Sequence, residues 1–380
     1  MRIIIILIME ITRCAARILV WLMPLQPAWA NAAERIYFIA ADELTWDYAP
    51  ANQDLMMGMA FDEDGKVFVE RQRDRIGKVY WKAVYREYTD AGFKTLKSRP
   101  KEWEHLGILG PVIRGEVGDT IKVIFRNNTS FPASIHSHGV FYAKDSEGSL
   151  TQDGTSGMDK KDDLVPPGGE HTYLWRVPER AGPGPADPSS IVWLYHSHTD
   201  SIRDSNTGLV GPILITAKGK ARADGSPRDV DRELVALFSI LDENESRLLD
   251  KTIREFADPD KVDKADEEFI ESNLKHSING YLFGNLPGLT MEQCQRTRWY
   301  LIALGTEVDL HTPHWHGNTG LMSGHRVDVV ELLPASMKVV DMQADNAGVW
   351  MFHCHVNDHI RAGMTALYTV LPKTSVRCGP

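Results

Sequence analysis

Positive charge, long apolar runs and cysteine are all scarce in this chain. Its 42 Lys and Arg stand against 52 Asp and Glu, a formal charge of -10. An acidic surface of that kind argues against a nucleic-acid partner and favours small cations as visitors. No apolar run approaches the ~20 residues a helix needs to cross a bilayer, so no membrane span is expected once the N-terminus is processed. Long amphipathic helical patterns are scarce as well, which favours an all-β sandwich. The length of 380 residues, with 43% hydrophobic and 25% charged content, suits two ordinary globular domains.

The first thirty residues differ from the rest. "MRIIIILIMEITRCAARILVWLMPLQPAWA" has basic residues, the apolar run Ile18 to Leu25, and a small-x-small ending at Ala28-Trp29-Ala30. That is the pattern of an export signal, residues 1–30, with Met9 as an alternative start because charges interrupt Glu10 to Arg17. Its removal takes away Arg2, Arg13, Arg17 and Glu10, a net two positive charges, so -10 becomes -12. It also removes Cys14 and leaves Cys294, Cys354 and Cys378. In an oxidising compartment, periplasmic or extracellular, two of three can pair and the third needs another occupation.

Short strands recur between turn residues. "GDTIKVIFRNNTS" alternates Ile121, Val123 and Phe125 after a Gly-Asp turn, the mark of a half-buried strand. "HTYLWRVPE", "SIVWLYHSH", "GPILIT", "RELVALFSIL", "RWYLIAL", "SMKVVDMQ", "GVWMFHCH" and "TALYTVL" read likewise. The acidic stretch from Glu243 to Asn273 is the main candidate for helix and loop.

Histidine is the residue with a pattern. The 14 histidines predict about half of one His-x-His pair by composition, yet there are four: His136/His138, His196/His198, His314/His316 and His353/His355. Residues i and i+2 of a strand share a face, so each pair is a pincer for a metal. The pairs also expose a repeat. "IHSHGV" answers "PHWHGN", and "LYHSHTDSIRDSNTGL" answers "MFHCHVNDHIRAGM". Two repeated β-sandwiches are expected, 36–218 and 231–372, joined by a polar linker at 219–230. Between them Cys354 becomes Ser197, His311 becomes Ala133, His359 becomes Ser201 and Met364 becomes Leu209. The first unit keeps the pincers and lacks the second ligand set.

In a strand, Cys354 faces opposite to His353 and His355, and His311 is offset by an odd number from His314 and His316. Two kinds of site follow. One thiolate, two imidazoles (His311, His359) and a thioether (Met364) make the trigonal set of a blue copper electron-transfer site. Zinc could use the same atoms, but methionine is a poor zinc ligand. The other eight histidines suffice for more than one metal. A mononuclear acceptor beside a multi-metal cluster suits four-electron reduction of dioxygen.

On these motifs the chain resembles the multicopper oxidases, and among them the ceruloplasmin and hephaestin group, from "YREYTDAGFKT" through "HLGILGPVIRGEVGDTI" and "HSINGYLFGNLPGLTM" to "GMTALYTV". The resemblance implies two cupredoxin-like Greek-key domains and about four copper ions per chain. His311, Cys354, His359 and Met364 would be the type 1 ligands, and His136 with His314 the type 2 pair. His138, His196, His198, His316, His353 and His355 would be the type 3 ligands. Ceruloplasmin has six such domains and this chain two, so a homotrimer rebuilding the ring is implied. The resemblance further implies an Fe(II) site of Glu271, His276 and Asp358, completed by Glu307 of a neighbouring copy, hence ferroxidase activity. Laccase-like phenol oxidation competes, and a non-catalytic copper carrier is the third reading. For Glu271 the plain alternative is a solvated acid. Asp153 matches a carboxylate that helps deliver protons to dioxygen. The Lys144 backbone with Asp159, Asp162 and Asp163 matches a calcium loop, although surface charge is the simpler reading. The same kinship implies a Cys294–Cys378 disulfide. His105, His171 and His325 match no ligand position and read as structural.

Overall fold

Along Thr120–Asn127, Ile121, Val123 and Phe125 are buried while Lys122, Ile124 and Arg126 between them are half-buried, as a strand with one face in a core requires. The computed structural model describes residues 32–373 and Cys378; the expected export signal lies outside the described residues. Residues 33–380 form one compact unit, built from two sets of sheets.

The first set contains β1 (Glu34–Asp47), β2 (Val79–Tyr88), β3 (Ile113–Glu116) and β4 (Thr120–Asn127). It continues with β5 (His136–Ser137), β6 (Glu170–Arg176), β7 (Ser190–His196) and β8 (Val210–Thr216). They form two four-stranded sheets, ordered β2-β1-β4-β6 and β3-β8-β7-β5. The second set begins with β9 (Arg232–Asp242), β10 (Leu274–Ile278), β11 (Thr290–Glu292), β12 (Arg296–Ala303) and β13 (Pro313–Trp315). It ends with β14 (Gly320–Met322), β15 (His325–Val327), β16 (Met337–Gln343), β17 (Gly348–Cys354) and β18 (Thr365–Leu371). Here the sheets run β10-β9-β12-β16-β14-β15 and β11-β18-β17-β13. Non-consecutive neighbours such as β1 beside β4 and β9 beside β12 are crossovers of a Greek-key type. These are two cupredoxin-like β-sandwiches. All nine strands expected from the sequence are present. Helices are short: α1 (Glu63–Val69), α2 (Ser201–Thr207), α3 (Leu249–Phe256), α4 (Glu267–Ser272) and α5 (Asn357–Arg361), with α3 and α4 inside the acidic stretch.

Each sandwich has its own core, around Phe125, Tyr173 and Trp175 in the first and around Trp299, Phe352 and Tyr368 in the second. A third apolar cluster joins them, where Val192, Leu194, Val210 and Leu214 of the β7–β8 sheet meet Val235, Leu237, Tyr300 and Ile302 of β9 and β12. His105 stitches the same contact. Its Nε2 accepts from Val235 N–H at 3.1 Å and its Nδ1 lies 3.0 Å from the Glu102 carbonyl. That is a satisfied core histidine, as its lack of a ligand match implied. Arg114 and Glu233, both buried, add an ion pair across the halves at 2.6 Å. Cys294 is bonded to Cys378, closing an 84-residue loop over the second sandwich.

Candidate metal centres

β17 places Phe352 and Cys354 in the second core and turns His353 the other way, which separates two donor sets along one strand. On the core side three donors converge. His311 Nδ1 and His359 Nδ1 are 3.2 Å apart, Cys354 Sγ is 3.5 Å from His359 Nδ1, and 3.9 Å from His311 Nδ1. An ion about 2.0–2.3 Å from each nitrogen and sulfur fits such a spacing. All three residues are buried, and so is Met364, whose backbone N–H donates to the His359 carbonyl while its carbonyl accepts from Cys354 N–H.

Burial opposes ionisation of the Cys354 thiol, but His311, His359 and the N–H groups of Thr312 and Val356 outweigh it, bringing the thiol down to about 6. A thiolate ready to bind metal results. His311 is held by a residue that sequence reasoning missed. Asp309 Oδ1 lies 3.1 Å from His311 Nε2, which fixes the ring and directs Nδ1 to the metal position. The same oxygen accepts from Ile240 N–H at 2.7 Å, and Oδ2 accepts from Thr306 N–H at 2.8 Å. Gly305 wraps this carboxylate so closely that a Cβ there would sit 1.9 Å from Oδ2. The only sequence signal was the Asp-x-His spacing.

The first sandwich reproduces this framework without the metal ligands. Thr312 N–H points at Cys354 Sγ at 3.4 Å, and Ser134 N–H points at Ser197 Oγ at 3.1 Å. Cys354 N–H donates to Met364 O, and Ser197 N–H to Leu209 O, both at 3.2 Å. Ser197 then donates to buried Asp204, which is paired with Arg247. A polar lock thus occupies the place where the second sandwich has a donor set.

The eight remaining histidines form two matching groups. His138 Nε2 and His196 Nε2 are 3.2 Å apart, and His316 Nε2 and His353 Nε2 are 3.1 Å apart. His136 faces His196 across β5 and β7, as His314 faces His353 across β13 and β17. His136, His138 and His196 bring donor atoms within 4.8 Å of one another, as do His314, His316 and His353, while His198 packs edge-on and His355 tilted beside them. Several outer nitrogens are spoken for: Nδ1 of His136 meets Glu147 O at 2.7 Å, of His196 Ser197 O at 2.9 Å, and of His353 Cys354 O at 2.7 Å, whereas the buried Nδ1 of His314 has no partner. His198 Nδ1 lies 3.1 Å from Ser149 Oγ. Burial lowers His138 and His353 to about 4 and His196 to about 3, so these imidazoles are neutral at pH 7 and free to ligate. Among the described residues, no hydrogen bond or ring contact joins the first group of four to the second.

The other expected residues are placed differently. His276 packs its ring 5.1 Å from that of His359, and its buried Nδ1 has no partner. Glu271 lies exposed at the end of α4, lining a cleft with Glu63, Lys66, Glu70, Glu267 and Glu268. Asp358, in the first turn of α5, and Glu307, in a turn before His311, are also exposed. These four do not form a converging donor group among the described residues. Asp153 is gripped by Lys144 at 2.7 Å and Lys160 at 3.1 Å. Lys144 first, then Thr155, hold its carboxyl well below the usual carboxylate range. In the calcium-like loop Asp162 and Asp163 are buried, not surface charges, whereas Asp159 and Lys144 are exposed. Asp162 Oδ1 has no hydrogen-bond partner, and Asp163 Oδ2 has only Lys160 Nζ at 3.1 Å, without hydrogen-bond geometry.

A cupredoxin-type thiolate and imidazole trio beside paired His-x-His motifs defines a copper protein with two kinds of centre. Two family models, both described as multicopper oxidase, match residues 106–220 and 256–374, together more than half of the chain. The chain belongs to the multicopper oxidase family, a family of copper-dependent oxidoreductases. It is 46% identical over 344 residues to ferroxidase HEPHL1 of Mus musculus, covering 90% of this chain and 29% of that protein. With hephaestin of Homo sapiens it is 42% identical over 356 residues, 92% of this chain and 30% of the relative. With ceruloplasmin of Homo sapiens the figures are 40% over 354 residues, 91% and 32%. The chain therefore spans about a third of the length of these relatives. Among solved structures, a blue copper oxidase from Nitrosomonas europaea matches with a TM-score of 0.54 at 17% identity, covering 90% of this chain and 86% of that one. A copper nitrite reductase from the same organism matches at 0.57 and 16%, covering 89% and 94%. At such identities these two report the fold alone.

Proposed function

We propose that this protein is a ferroxidase: it takes single electrons from Fe(II) at a mononuclear copper and passes them to a cluster where dioxygen is reduced to water. The observation that carries this reading is the double membership of Cys354. Its thiol faces His311 and His359, while its carbonyl lies 2.7 Å from Nδ1 of His353, a member of the other donor group. Electrons accepted on one side have a short covalent path to the other. Bound copper would supply reversible one-electron chemistry at His311, Cys354, His359 and Met364, and dioxygen reduction at the eight histidines of types 2 and 3. The chain itself keeps His138, His196 and His353 neutral, orients His311 through Asp309, and encloses the thiolate away from water.

Fe(II) as donor is supported by His276 beside His359 with an unpartnered nitrogen, and by the acidic cleft at Glu271. Carboxylate and imidazole suit iron. Kinship with a ferroxidase at 46% identity points the same way. Asp358 and, from a neighbouring copy, Glu307 would complete the ligands.

The repeat units 36–218 and 231–372 would assemble as a trimer. Val192 of β7 is 3% exposed because the second sandwich covers it, but its counterpart Val349 of β17 is 62% exposed. Conversely Val235, opposite Tyr300, is 0% exposed, whereas Ile36, in the same register opposite Lys122, is 47% exposed. Each chain thus has one used and one unused copy of the same head-to-tail contact, and such a heterologous contact closes into a ring when its rotation allows. The two histidine groups, separate within a chain, would meet between chains. Calcium in the Asp162–Asp163 loop would satisfy the orphaned carboxylate oxygens. Export is proposed from the N-terminal pattern; no helix among the described residues is long and apolar enough to cross a membrane.

Two measurements test this reading. Light scattering should give the mass of three chains. Glu271→Ala and Asp358→Ala should each impair oxygen consumption with Fe(II) while sparing a bulky phenol that needs no iron ligands. Equal losses with both donors would transfer the reading to phenol oxidation.

A further inference from the structure

Between β2 and β3 the first sandwich takes residues 89–112, whereas the equivalent link from β10 to β11 in the second needs only 279–289. Strand pairing sets that equivalence. β2 and β10 run antiparallel to β1 and β9, and β3 and β11 run parallel to the last strands of their units, β8 and β18. A sandwich of this kind therefore closes without the longer link, and none of the donor sets above uses it.

The extra length is ordered by its backbone. Thr89 N–H donates to Thr95 O at 3.0 Å and Lys97 N–H to Glu87 O at 2.9 Å, so the chain doubles back along the end of β2. Phe93, at a φ of +50°, lies in that turn and packs its ring 5.5 Å from the ring of Tyr88. A short 3-10 helix, Lys101–Leu106, follows and carries Trp103. Together they wall a cleft of about 490 Å³ against the start of β3, a size usual for small-molecule sites. Its apolar lining is Leu96, Pro100, Trp103, Leu106, Pro111 and Val112.

The rest of the lining is mainly cationic. Residues 94–101, KTLKSRPK, hold four cations and no acid in a chain whose net charge is -10. Of the cations lining the cleft, Lys97 is paired with Glu87 at 2.8 Å, Arg86 with Asp42 at 3.6 Å and Arg114 with Glu233 at 2.6 Å. Arg99 forms no ion pair among the described residues. Its Nη1 and Nη2 donate to the carbonyls of Gly107 and Leu109 at 2.8 and 2.7 Å, which fixes the fork and leaves its other N–H groups unused. The groups that act on it electrostatically are the phenols of Tyr195 and Tyr281 and another cation, Arg86. An anchored guanidinium without a counter-ion, beside an indole and an apolar wall, is a seat for an anion with an apolar body.

We propose that this cleft binds an amphipathic organic carboxylate, its carboxylate on the guanidinium of Arg99 and its apolar body against Trp103 and the wall around it. A guanidinium fork pairs with a carboxylate through parallel hydrogen bonds, and an indole face supplies a large apolar contact. The proposal does not rest on the oxidase reading, because no copper or iron candidate lines the cleft. Arg114, whose guanidinium lies 5.4 Å from the Trp103 ring, also pairs with Glu233 of the second sandwich, so the cleft sits at the join of the two units. A carboxylate held there binds only the folded chain and raises its Tm.

The test titrates copper-loaded protein in a calorimeter with naphthalene-2-carboxylate and, separately, with the neutral naphthalene-2-carboxamide, at constant ionic strength. Wild type should bind about one carboxylate per chain and bind the carboxamide roughly tenfold more weakly. Arg99→Gln should lower carboxylate affinity about tenfold and leave carboxamide affinity near wild type, a split that a merely structural role of Arg99 would not produce. Leu96→Trp, on the exposed hairpin, fills the cleft while keeping every cation, and should weaken both probes. Should Arg99→Gln fail to fold, the wild-type comparison of the two probes and Leu96→Trp still decide. Equal binding of both probes, wild-type carboxylate affinity in either variant, or no saturable heat at millimolar carboxylate would overturn the proposal.

Discussion

Replacing Asp309 with alanine tests whether the mononuclear site is set by its surroundings as well as its ligands. Asp309 is buried, and its carboxylate serves Ile240 N–H, Thr306 N–H and His311 Nε2 at 2.7, 2.8 and 3.1 Å. Thr306 is exposed and can turn to water, so alanine strands two buried groups, those of Ile240 and His311. A stranded buried donor costs about 1–3 kcal/mol, so copper-free Asp309→Ala should lose roughly 4 kcal/mol of stability. With His311 no longer oriented, copper affinity at this site should fall about 10–100-fold. Urea unfolding of the copper-free protein measures the first, and blue absorbance in copper buffers the second. Asp309→Asn provides the control: Oδ1 still accepts from Ile240 and His311, and only the exposed Thr306 contact is lost, so most of both properties should return. A copper-free alanine variant within about 1 kcal/mol of wild type, turning blue at the same free copper, would refute the reasoning.

Other outcomes follow from the same structure. Cys354→Ser should abolish the blue colour while most other copper stays bound, because the substitution leaves the eight histidines of the other groups in place; a blue serine variant would remove the type 1 assignment. His105, lowered to about 3 chiefly by burial, binds its proton in the unfolded chain first, so stability should fall as pH drops below about 6.5. One proton per molecule gives roughly 2 kcal/mol between pH 6.5 and 5; His105→Gln should flatten that part of the acid limb in chemical denaturation, and an unchanged slope would contradict it. Cys294→Ser opens an 84-residue loop, which chain-entropy reasoning sets at about 4.5 kcal/mol; calorimetry showing no drop in Tm would contradict it.

The strands that were legible from sequence are those whose period-two pattern is clean, such as β4 and β17. β1 and β2 were not legible, because Ile36, Phe38 and Ala40 put apolar groups on the face opposite Ile39 and Ala41, and Val79–Tyr88 does the same, which blurs the alternation. The two kinds of donor set were legible because local spacing alone decides which face a residue takes. Asp309 was not, since its role depends on Ile240, 69 residues away. The partners of Asp153 were not legible either, since no spacing rule announces that Lys144 and Lys160 close around it in the fold. The proposed iron residues came from motif likeness, and among them His276 packs its ring against that of His359.

The central claim, that Cys354 couples a one-electron site to a dioxygen-reducing cluster, is tested most directly by the ratio of Fe(II) oxidised to dioxygen consumed by the copper-loaded protein, with catalase added at the end to reveal peroxide. The account predicts about four Fe(II) per dioxygen, no oxygen returned by catalase, and no turnover by Cys354→Ser. A ratio of about two with oxygen released by catalase, or undiminished turnover by Cys354→Ser, would contradict it.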